Sequence, residues 1–235
     1  IGSSSRDSAS ASGQNQASFR HNLSKPFERG LPMIVTIGSI NIDLIANMPR
    51  LPLPGETVHG TAFSTAAGGK GANQALAARR AGAQTIMVGA AGQDEFAEGA
   101  LILLKEGSVD LSRVASVPGP TGVAVIFVGG SGENVIAVIP GANATVSPDQ
   151  FADLSLGKGD VVLLQLEIGF ATVSAAIAKA RTGGALSLLN IAPFDKACVP
   201  MMNEADITIA NETEFALAAT EMGLSGNSKK KKMYN

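Results

Sequence analysis

A glycine-rich segment with a single lysine is the first place where residue type and spacing could support chemistry. Residues 68–73 are Gly-Gly-Lys-Gly-Ala-Asn and lead into a predicted helix over 72–81. Glycines let a backbone approach a ligand closely, and the first amides of a helix can donate to a hydroxyl group or an anion. The segment is not a phosphate-binding P-loop, because Gly71 rather than Ser or Thr follows Lys70. A tight turn into a helix of small residues is an equal alternative.

Amide and carboxylate side chains follow two predicted strands, at the edge where parallel sheets bind ligands. Asn41 and Asp43 come after the apolar run 33–40, and their alternate spacing places both on one side of an extended chain. Glu167 closes the apolar run 161–166. Such groups can hold neighbouring hydroxyls of a polyol, because a carboxylate accepts hydrogen bonds and an amide both accepts and donates them. The alternatives are a turn cap at Asp43 and a surface carboxylate at Glu167.

A further polar pair, Asn211 and Glu214, follows the apolar run 207–210 and opens a predicted helix over 212–221. The plain interpretation is a capping box, in which each side chain bonds a backbone amide near the other. Alternatively, Glu214 could reach a water molecule bound to magnesium near phosphate groups. The single cysteine, Cys198, excludes an intrachain disulfide and a multi-cysteine metal site, and two histidines exclude a histidine-rich one.

Apolar runs and helical patterns alternate along the chain and must position these groups. Runs of Ile, Val and Leu without polar alternation are typical of strands buried on both faces. Predicted strands cover 33–40, 85–90, 161–166, 186–191 and 207–210, and predicted helices cover 72–81, 95–106, 171–180 and 212–221. This order predicts an α/β fold with a parallel sheet between helices, that is, a three-layer α/β/α core.

Two segments break the alternation. Residues 56–66 have a strand-like pattern with polar interruptions, and residues 121–139 contain two apolar runs around Gly129-Gly130-Ser131-Gly132. The glycine-rich tetrapeptide predicts a hairpin turn. Together the segments predict a small antiparallel sheet that projects from the main sheet and could cover a site or pair with a second subunit.

Composition limits the classes of function. The chain has 235 residues, 16% of them charged, and a net charge of −2, which argues against a basic nucleic-acid-binding protein and against electrostatic attachment to a membrane. The apolar runs are too short to span a bilayer and the first residues lack an apolar signal core, so we expect a cytoplasmic protein. The serine-rich residues 1–32 and the lysine-rich residues 227–235 are predicted to be disordered, leaving one domain over 33–226.

The order and spacing of these motifs resemble the ribokinase family of carbohydrate kinases, and the similarity is closer to its ribose-specific members than to adenosine kinases or fructokinases. The matching segments are 38–43, 54–57, 68–75, 129–143, 165–167 and 211–214, within a resemblance that runs over 33–226. It implies a ribokinase-like core with a small β-sheet lid, over 56–66 and 121–139, that closes over a sugar and can form a homodimer contact. The implied activity is ATP-dependent phosphorylation of the primary hydroxyl, O5, of D-ribose.

The resemblance also assigns roles to residues. Sugar contacts are implied for Asn41, Asp43, Gly69, Lys70, Asn73 and Glu167. Asn211 and Glu214 would lie near the phosphates and Mg²⁺ of ATP, with Glu214 reaching the ion through water. The family's general base belongs to a Gly-Ala-Gly-Asp segment that has no counterpart here, since Asp94 of 89–94 occupies an early loop. We therefore expect the general base beyond Asn235, together with the adenine pocket and a potassium site.

Three hypotheses follow for the chain. The first is a sugar kinase that is truncated in this sequence or completed by another chain. The second is a non-catalytic fragment that binds sugar or dimerises through the lid. The third is a chain without a stable fold, since an unfinished parallel sheet exposes an apolar edge. The same residues would also suit another pentose or 2-deoxyribose.

Overall fold

The computed structural model describes residues 31–224, and the predictions made for residues 1–30 and 225–235 lie outside the described residues. In chain order the elements are β1 (Met33–Ile37), β2 (Asn41–Asn47), β3 (Ala62–Gly68), α1 (Lys70–Arg80), β4 (Gln84–Gly92), α2 (Phe96–Glu106), β5 (Asp110–Val117), β6 (Gly122–Val128), β7 (Asn134–Ile139), β8 (Val161–Leu164), α3 (Phe170–Gly183), β9 (Leu186–Asn190), α4 (Val199–Glu204), β10 (Ile207–Ile209) and α5 (Glu212–Glu221). Three short 3₁₀ turns cover Gly141–Thr145, Pro148–Phe151 and Lys196–Cys198.

The main sheet has six strands in the order β10-β9-β8-β1-β4-β5, and every neighbouring pair is parallel. Successive residues of its central strands are buried on opposite faces, as Met87 and Val88 show in β4. Val88 belongs to the core cluster that includes α3, whereas Met87 packs with α1 and α2. The predicted parallel sheet and the three-layer α/β/α arrangement are confirmed.

The second sheet has four strands in the order β3-β2-β6-β7. Its β2–β3 and β6–β7 pairs are antiparallel, but β2 and β6 are parallel, so the predicted wholly antiparallel sheet is wrong. The parallel pair arises because β2 follows β1 and β6 follows β5, and both leave the core at the carboxyl edge of the parallel main sheet. The predicted hairpin turn between β6 and β7 is confirmed, and Gly129 N–H donates to the Glu133 carbonyl at 2.9 Å.

Strand boundaries differ from the predictions where the chain passes from one sheet to the other without a break in its apolar pattern. The predicted strand 33–40 stops at Ile37, and the chain then crosses to the second sheet, where β2 begins at Asn41. Regular structure in the predicted segment 56–66 begins only at Ala62. Strand β5 and helix α4 were not predicted, since β5 is a partly exposed edge strand and α4 has six residues.

None of the helices that the structure describes is both long enough and apolar enough to cross a bilayer.

A buried threonine joins the two sheets at their base. Thr121 lies immediately before β6 and is fully buried. Its hydroxyl donates to Asp94 Oδ1 at 2.6 Å and accepts from Gly92 N–H at 3.0 Å, while its own N–H donates to Asp94 Oδ2 at 2.9 Å. The hydroxyl group of Thr121 therefore links the end of β4 to the start of β6.

We expect Thr121→Val to lower the free energy of unfolding by about 1–3 kcal/mol, because a buried Gly92 N–H would lose its acceptor. Thr121→Ser keeps the hydroxyl and loses one methyl group, so its loss should be no more than about 1 kcal/mol. Urea unfolding followed by circular dichroism measures both values. Equal losses in the two variants would show that the hydroxyl does not hold the junction.

Candidate functional site

The carboxyl ends of β1 and β8 meet the start of α1 around one carboxylate, that of Glu167. This side chain is 9% exposed. Its Oε2 accepts from Ser39 Oγ at 2.5 Å and from Lys70 N–H at 3.1 Å, and its Oε1 lies 3.7 Å from Lys70 Nζ. Segments separated by 97 and 128 residues in sequence are thus joined at one acidic group.

The same contacts close the N-terminus of α1. The N-cap residue, Gly69, has no side chain to bond the first amides. Glu167 accepts from the N–H of Lys70, while Ser39 accepts from Gly71 N–H with its hydroxyl at 3.3 Å and from Ala72 N–H with its carbonyl at 2.9 Å. Of the two interpretations of this segment, the structure favours the tight turn into a helix, because distant residues occupy these amides.

Two glycines let the loop before α1 pack directly on the start of β2. Gly69 has φ +93°, and a Cβ there would lie 2.7 Å from the Ser39 carbonyl oxygen. A Cβ on Gly68 would lie 2.2 Å from Asp43 Oδ1. The carboxylate of Asp43 thus rests on the backbone of Gly68, and the two motifs 38–43 and 68–73 form one wall of the site.

The side chains of Asp43, Lys70 and Glu167 form a partly buried charged group. Burial raises the pKa of Asp43, the nearby charge of Glu167 raises it further, and the ammonium of Lys70 lowers it. This charged group of two carboxylates and one ammonium offers acceptors to several hydroxyls and up to three donors.

Two asparagines, Asn41 and Asn73, belong to the same elements as this charged group, β2 and α1. Asn41 is two residues before Asp43 on the same face of β2, is 2% exposed, and accepts from Asn143 Nδ2 at 2.7 Å. Asn73 is exposed, one turn of α1 after Lys70, and lines a small apolar pocket with Gly68 and Leu103 that is separate from the cleft lined by Glu167.

Sequence reasoning missed two residues that hold the site, Ser39 and Asn143. Both are neutral and buried, and neither charge nor hydrophobic period distinguishes them. Their only sequence signal is that each lies inside a segment that carries the family resemblance.

A cleft of about 430 Å³ opens beside Glu167, between the second sheet and the carboxyl edge of the main sheet. That volume is in the range of small-molecule sites. Its lining is mostly apolar, with Val138 and Pro140 on one side and Ile168 and Phe170 on the other. Val138 pairs through Ala124 with Asp43, so all three side chains share one face of the second sheet.

Asn211 and Glu214 form the predicted capping box at the start of α5. Asn211 Oδ1 accepts from Glu214 N–H at 2.8 Å, and Glu214 Oε2 accepts from Asn211 N–H at 2.9 Å. The pair follows β10, two strands from β8, which corresponds to about 10 Å across the sheet. The pair is therefore not part of the charged group around Glu167, although it lies on the same edge. Oε1 of Glu214 has no hydrogen-bond donor among the described residues.

Known proteins with related sequences include two sugar kinases. The chain is 41% identical over 185 residues to the ribokinase of Lactococcus lactis subsp. lactis, which covers 77% of this chain and 61% of the relative. It is 36% identical over 193 residues to the deoxyribokinase of Salmonella typhi, covering 78% of this chain and 61% of the relative. The chain thus spans about 61% of the length of these two relatives.

The fold agrees with the sequence comparison. The structure of Arabidopsis thaliana ribokinase complexed with ribose and ATP superposes with a TM-score of 0.71 at 29% identity, covering 86% of this chain and 66% of that one. The sequence model of the pfkB family carbohydrate kinases matches residues 31–233. That match includes every residue of the charged group and of the capping box, and the chain belongs to the pfkB family of carbohydrate kinases.

Proposed function

We propose that this chain supplies the sugar-binding part of an ATP-dependent kinase that phosphorylates the primary hydroxyl, O5, of D-ribose. The observation that carries the proposal is the convergence of Asp43, Lys70 and Glu167 from three distant segments, beside a cleft that Glu167 lines. Relatives named ribokinase and deoxyribokinase support a pentose as the substrate class. Because the chain spans about 61% of their length, the activity of the whole kinase is part of the proposal.

The proposed sugar contacts follow from the donors and acceptors in place. The carboxylates of Asp43 and Glu167 accept from sugar hydroxyls, and Lys70 Nζ donates to a hydroxyl oxygen. Asn41 adds a buried amide beside Asp43, and Asn73 an exposed one on α1. Gly69 can contribute only backbone groups. Its backbone, with φ +93°, packs closely against the start of β2.

ATP is proposed to lie along the carboxyl edge from the charged group towards Asn211 and Glu214. The distance of about 10 Å between β8 and β10 allows a phosphate chain between them. Mg²⁺ commonly binds through phosphates, waters and one or two carboxylates, and the free Oε1 of Glu214 fits a contact through water. A cluster of three or more His, Cys, Asp or Glu arranged for a metal is not found in residues 31–224, so magnesium would come with the nucleotide. Family resemblance alone supports a potassium ion.

The second sheet is proposed to act as a lid and as a homodimer contact. Its strand β7 is exposed along its whole length. Four large apolar residues of that strand, namely Val135, Ile136, Val138 and Ile139, are 44–54% exposed. An exposed apolar strand of this kind favours burial against a substrate or a second copy.

A sugar-binding chain without turnover is the second candidate. Asp94, the acid of the 89–94 segment, accepts hydrogen bonds from Thr121 at both oxygens. Burial opposes its ionisation, but hydrogen bonds from Thr121 and from backbone amides outweigh burial and lower the pKa of Asp94. An acid held in this way is poorly placed to deprotonate a sugar hydroxyl. The proposal therefore assigns no general base within residues 31–224.

Ribose binding and turnover separate the two candidates. At about 100 times its Kd, ribose should stabilise the chain by about 2.7 kcal/mol, which corresponds to a rise in Tm of about 5–10 °C for a domain of this size. Differential scanning fluorimetry with ribose, 2-deoxyribose and the acyclic polyol mannitol measures this, and ATP consumption is followed in parallel. Binding with turnover supports the kinase, binding alone supports the second candidate, and absence of any pentose response rejects both.

Glu167→Gln should weaken ribose binding about 10- to 100-fold, since a hydrogen bond to a charged acceptor contributes about 1.5–3 kcal/mol. The amide oxygen can still accept from Lys70 N–H and Ser39, so α1 should keep its start. Isothermal titration calorimetry measures the change. Glu98→Gln, which removes an exposed carboxylate paired with Lys105, is the matched control and should bind ribose normally.

Asp43→Asn should raise Tm at pH 7 while abolishing the ribose response. A carboxyl whose pKa is raised by folding lowers stability as pH rises through the window from its unfolded to its folded pKa, and remains destabilising above it. Asparagine removes that penalty and also removes the charged acceptor. Thermal unfolding with and without ribose between pH 4 and about 8 measures both effects.

The control for that variant is Asp153→Asn. Asp153 pairs with Arg113, and the hydrogen bond from Arg113 lowers the pKa of Asp153. The ionised form of Asp153 therefore favours folding, so Asp153→Asn should not raise Tm. It should also keep the ribose response. A Tm that falls in Asp43→Asn would contradict the assigned pKa direction.

A further inference from the structure

We propose that Asn143 is a positioning residue that decides which end of the Asn41 amide faces the sugar. The inference rests on the proposed function, because it concerns how the same site presents a donor to a pentose. Asn143 lies in the 3₁₀ turn Gly141–Thr145, where the chain returns from β7 to the core.

The orientation of the Asn143 amide is fixed by the backbone of Ile40. Its Oδ1 accepts from Ile40 N–H at 2.9 Å, and its Nδ2 donates to the Ile40 carbonyl at 3.2 Å. A flipped amide would place NH₂ against an N–H and oxygen against oxygen, losing both bonds. Asn143 is 1% exposed, so water cannot replace those partners.

The fixed amide in turn fixes Asn41. Nδ2 of Asn143 also donates to Asn41 Oδ1 at 2.7 Å. The oxygen of Asn41 is thereby occupied, and none of the described residues accepts a hydrogen bond from its Nδ2. Asn41 shares a face of β2 with Asp43, so this NH₂ group is the donor that the second sheet offers beside an acidic acceptor. A diol fits that pair, with one hydroxyl donating to Asp43 and its neighbour accepting from Asn41.

The amide pair also depends on a space that the neighbouring strand leaves open. Gly122, the residue of β6 paired with Asn41, faces both side chains. A Cβ at this position would lie 2.2 Å from Asn143 Nδ2 and 2.2 Å from Asn41 Oδ1. The absence of a side chain at Gly122 is thus required for the Asn41–Asn143 bond.

Asn143→Asp tests the inference because it replaces the Nδ2 donor by an acceptor with almost no change of shape, although it also loses the bond to the Ile40 carbonyl. The new carboxylate then faces Asn41. The amide of Asn41 must turn its NH₂ group towards that carboxylate and present its oxygen to the sugar. Ribose affinity, measured by isothermal titration calorimetry, should fall at least about tenfold, the size of one lost hydrogen bond. Asn203→Asp, an exposed change of the same type in α4, should leave affinity within about twofold.

A double-mutant cycle separates positioning from general stability. In an Asn41→Ala background, Asn143→Asp should change ribose affinity less than about twofold, because its effect passes through Asn41. Equal losses in both backgrounds would overturn the inference, since they indicate a merely structural role. If Asn143→Asp does not fold, Asn143→Ala is put through the same cycle and the same criterion applies.

The outcomes for the wild type keep this inference distinct from the proposed function. A wild type that binds neither ribose nor 2-deoxyribose overturns the proposed function and this inference with it. A wild type that binds ribose, with Asn143 variants of unchanged affinity, overturns only the role of Asn143. Loss in the Asn143 variants that vanishes in the Asn41→Ala background supports both.

Discussion

The carboxylate of Glu167 at the start of α1 is the interaction on which the site depends. A charged acceptor at a helix N-terminus is favoured both by the unpaired amides and by the helix dipole. Here it also bonds Ser39 from the end of β1 and faces the Lys70 ammonium. One side chain thus fixes the distance between two main-sheet strands and the glycine-rich loop, and it places the Lys70 ammonium 3.7 Å from its own carboxylate.

That arrangement brings a second carboxylate close to the first. Burial and the charge of Glu167 both raise the pKa of Asp43, so the folded chain holds its ionised form at a cost in stability. In the proposed function, a sugar hydroxyl that donates to Asp43 would relieve part of that cost. Sites that are strained until a ligand arrives are a common origin of the trade-off between stability and activity.

The sequence allowed the parts of this fold that depend on continuous apolar runs to be predicted. Strand β8 could be predicted from its continuous apolar run, and helix α5 from its hydrophobic period and capping residues. Polar residues at strand ends, such as Glu167, indicated which edge of the sheet carries the candidate site. The crossing from β1 to β2 could not be predicted, because Ile40 and Ile42 continue the apolar pattern into another sheet. Nor could the roles of Ser39 and Asn143 be predicted, since a buried neutral hydrogen bond between distant segments leaves no periodic or charge signal.

The distribution of polar groups between the sheets has a consequence for how a ligand would act on the molecule. Asn41 and Asp43 belong to the first strand of the second sheet, whereas Lys70 and Glu167 belong to the core. A pentose held by both sets ties one sheet to the other. The same strand pairs with β6 and, through it, with the β7 residue Val138 at the cleft. Any movement of the second sheet therefore moves Asn41, Asp43 and one apolar wall of the cleft together. In the proposed function, sugar binding and closure of the cleft would thus be one equilibrium rather than two.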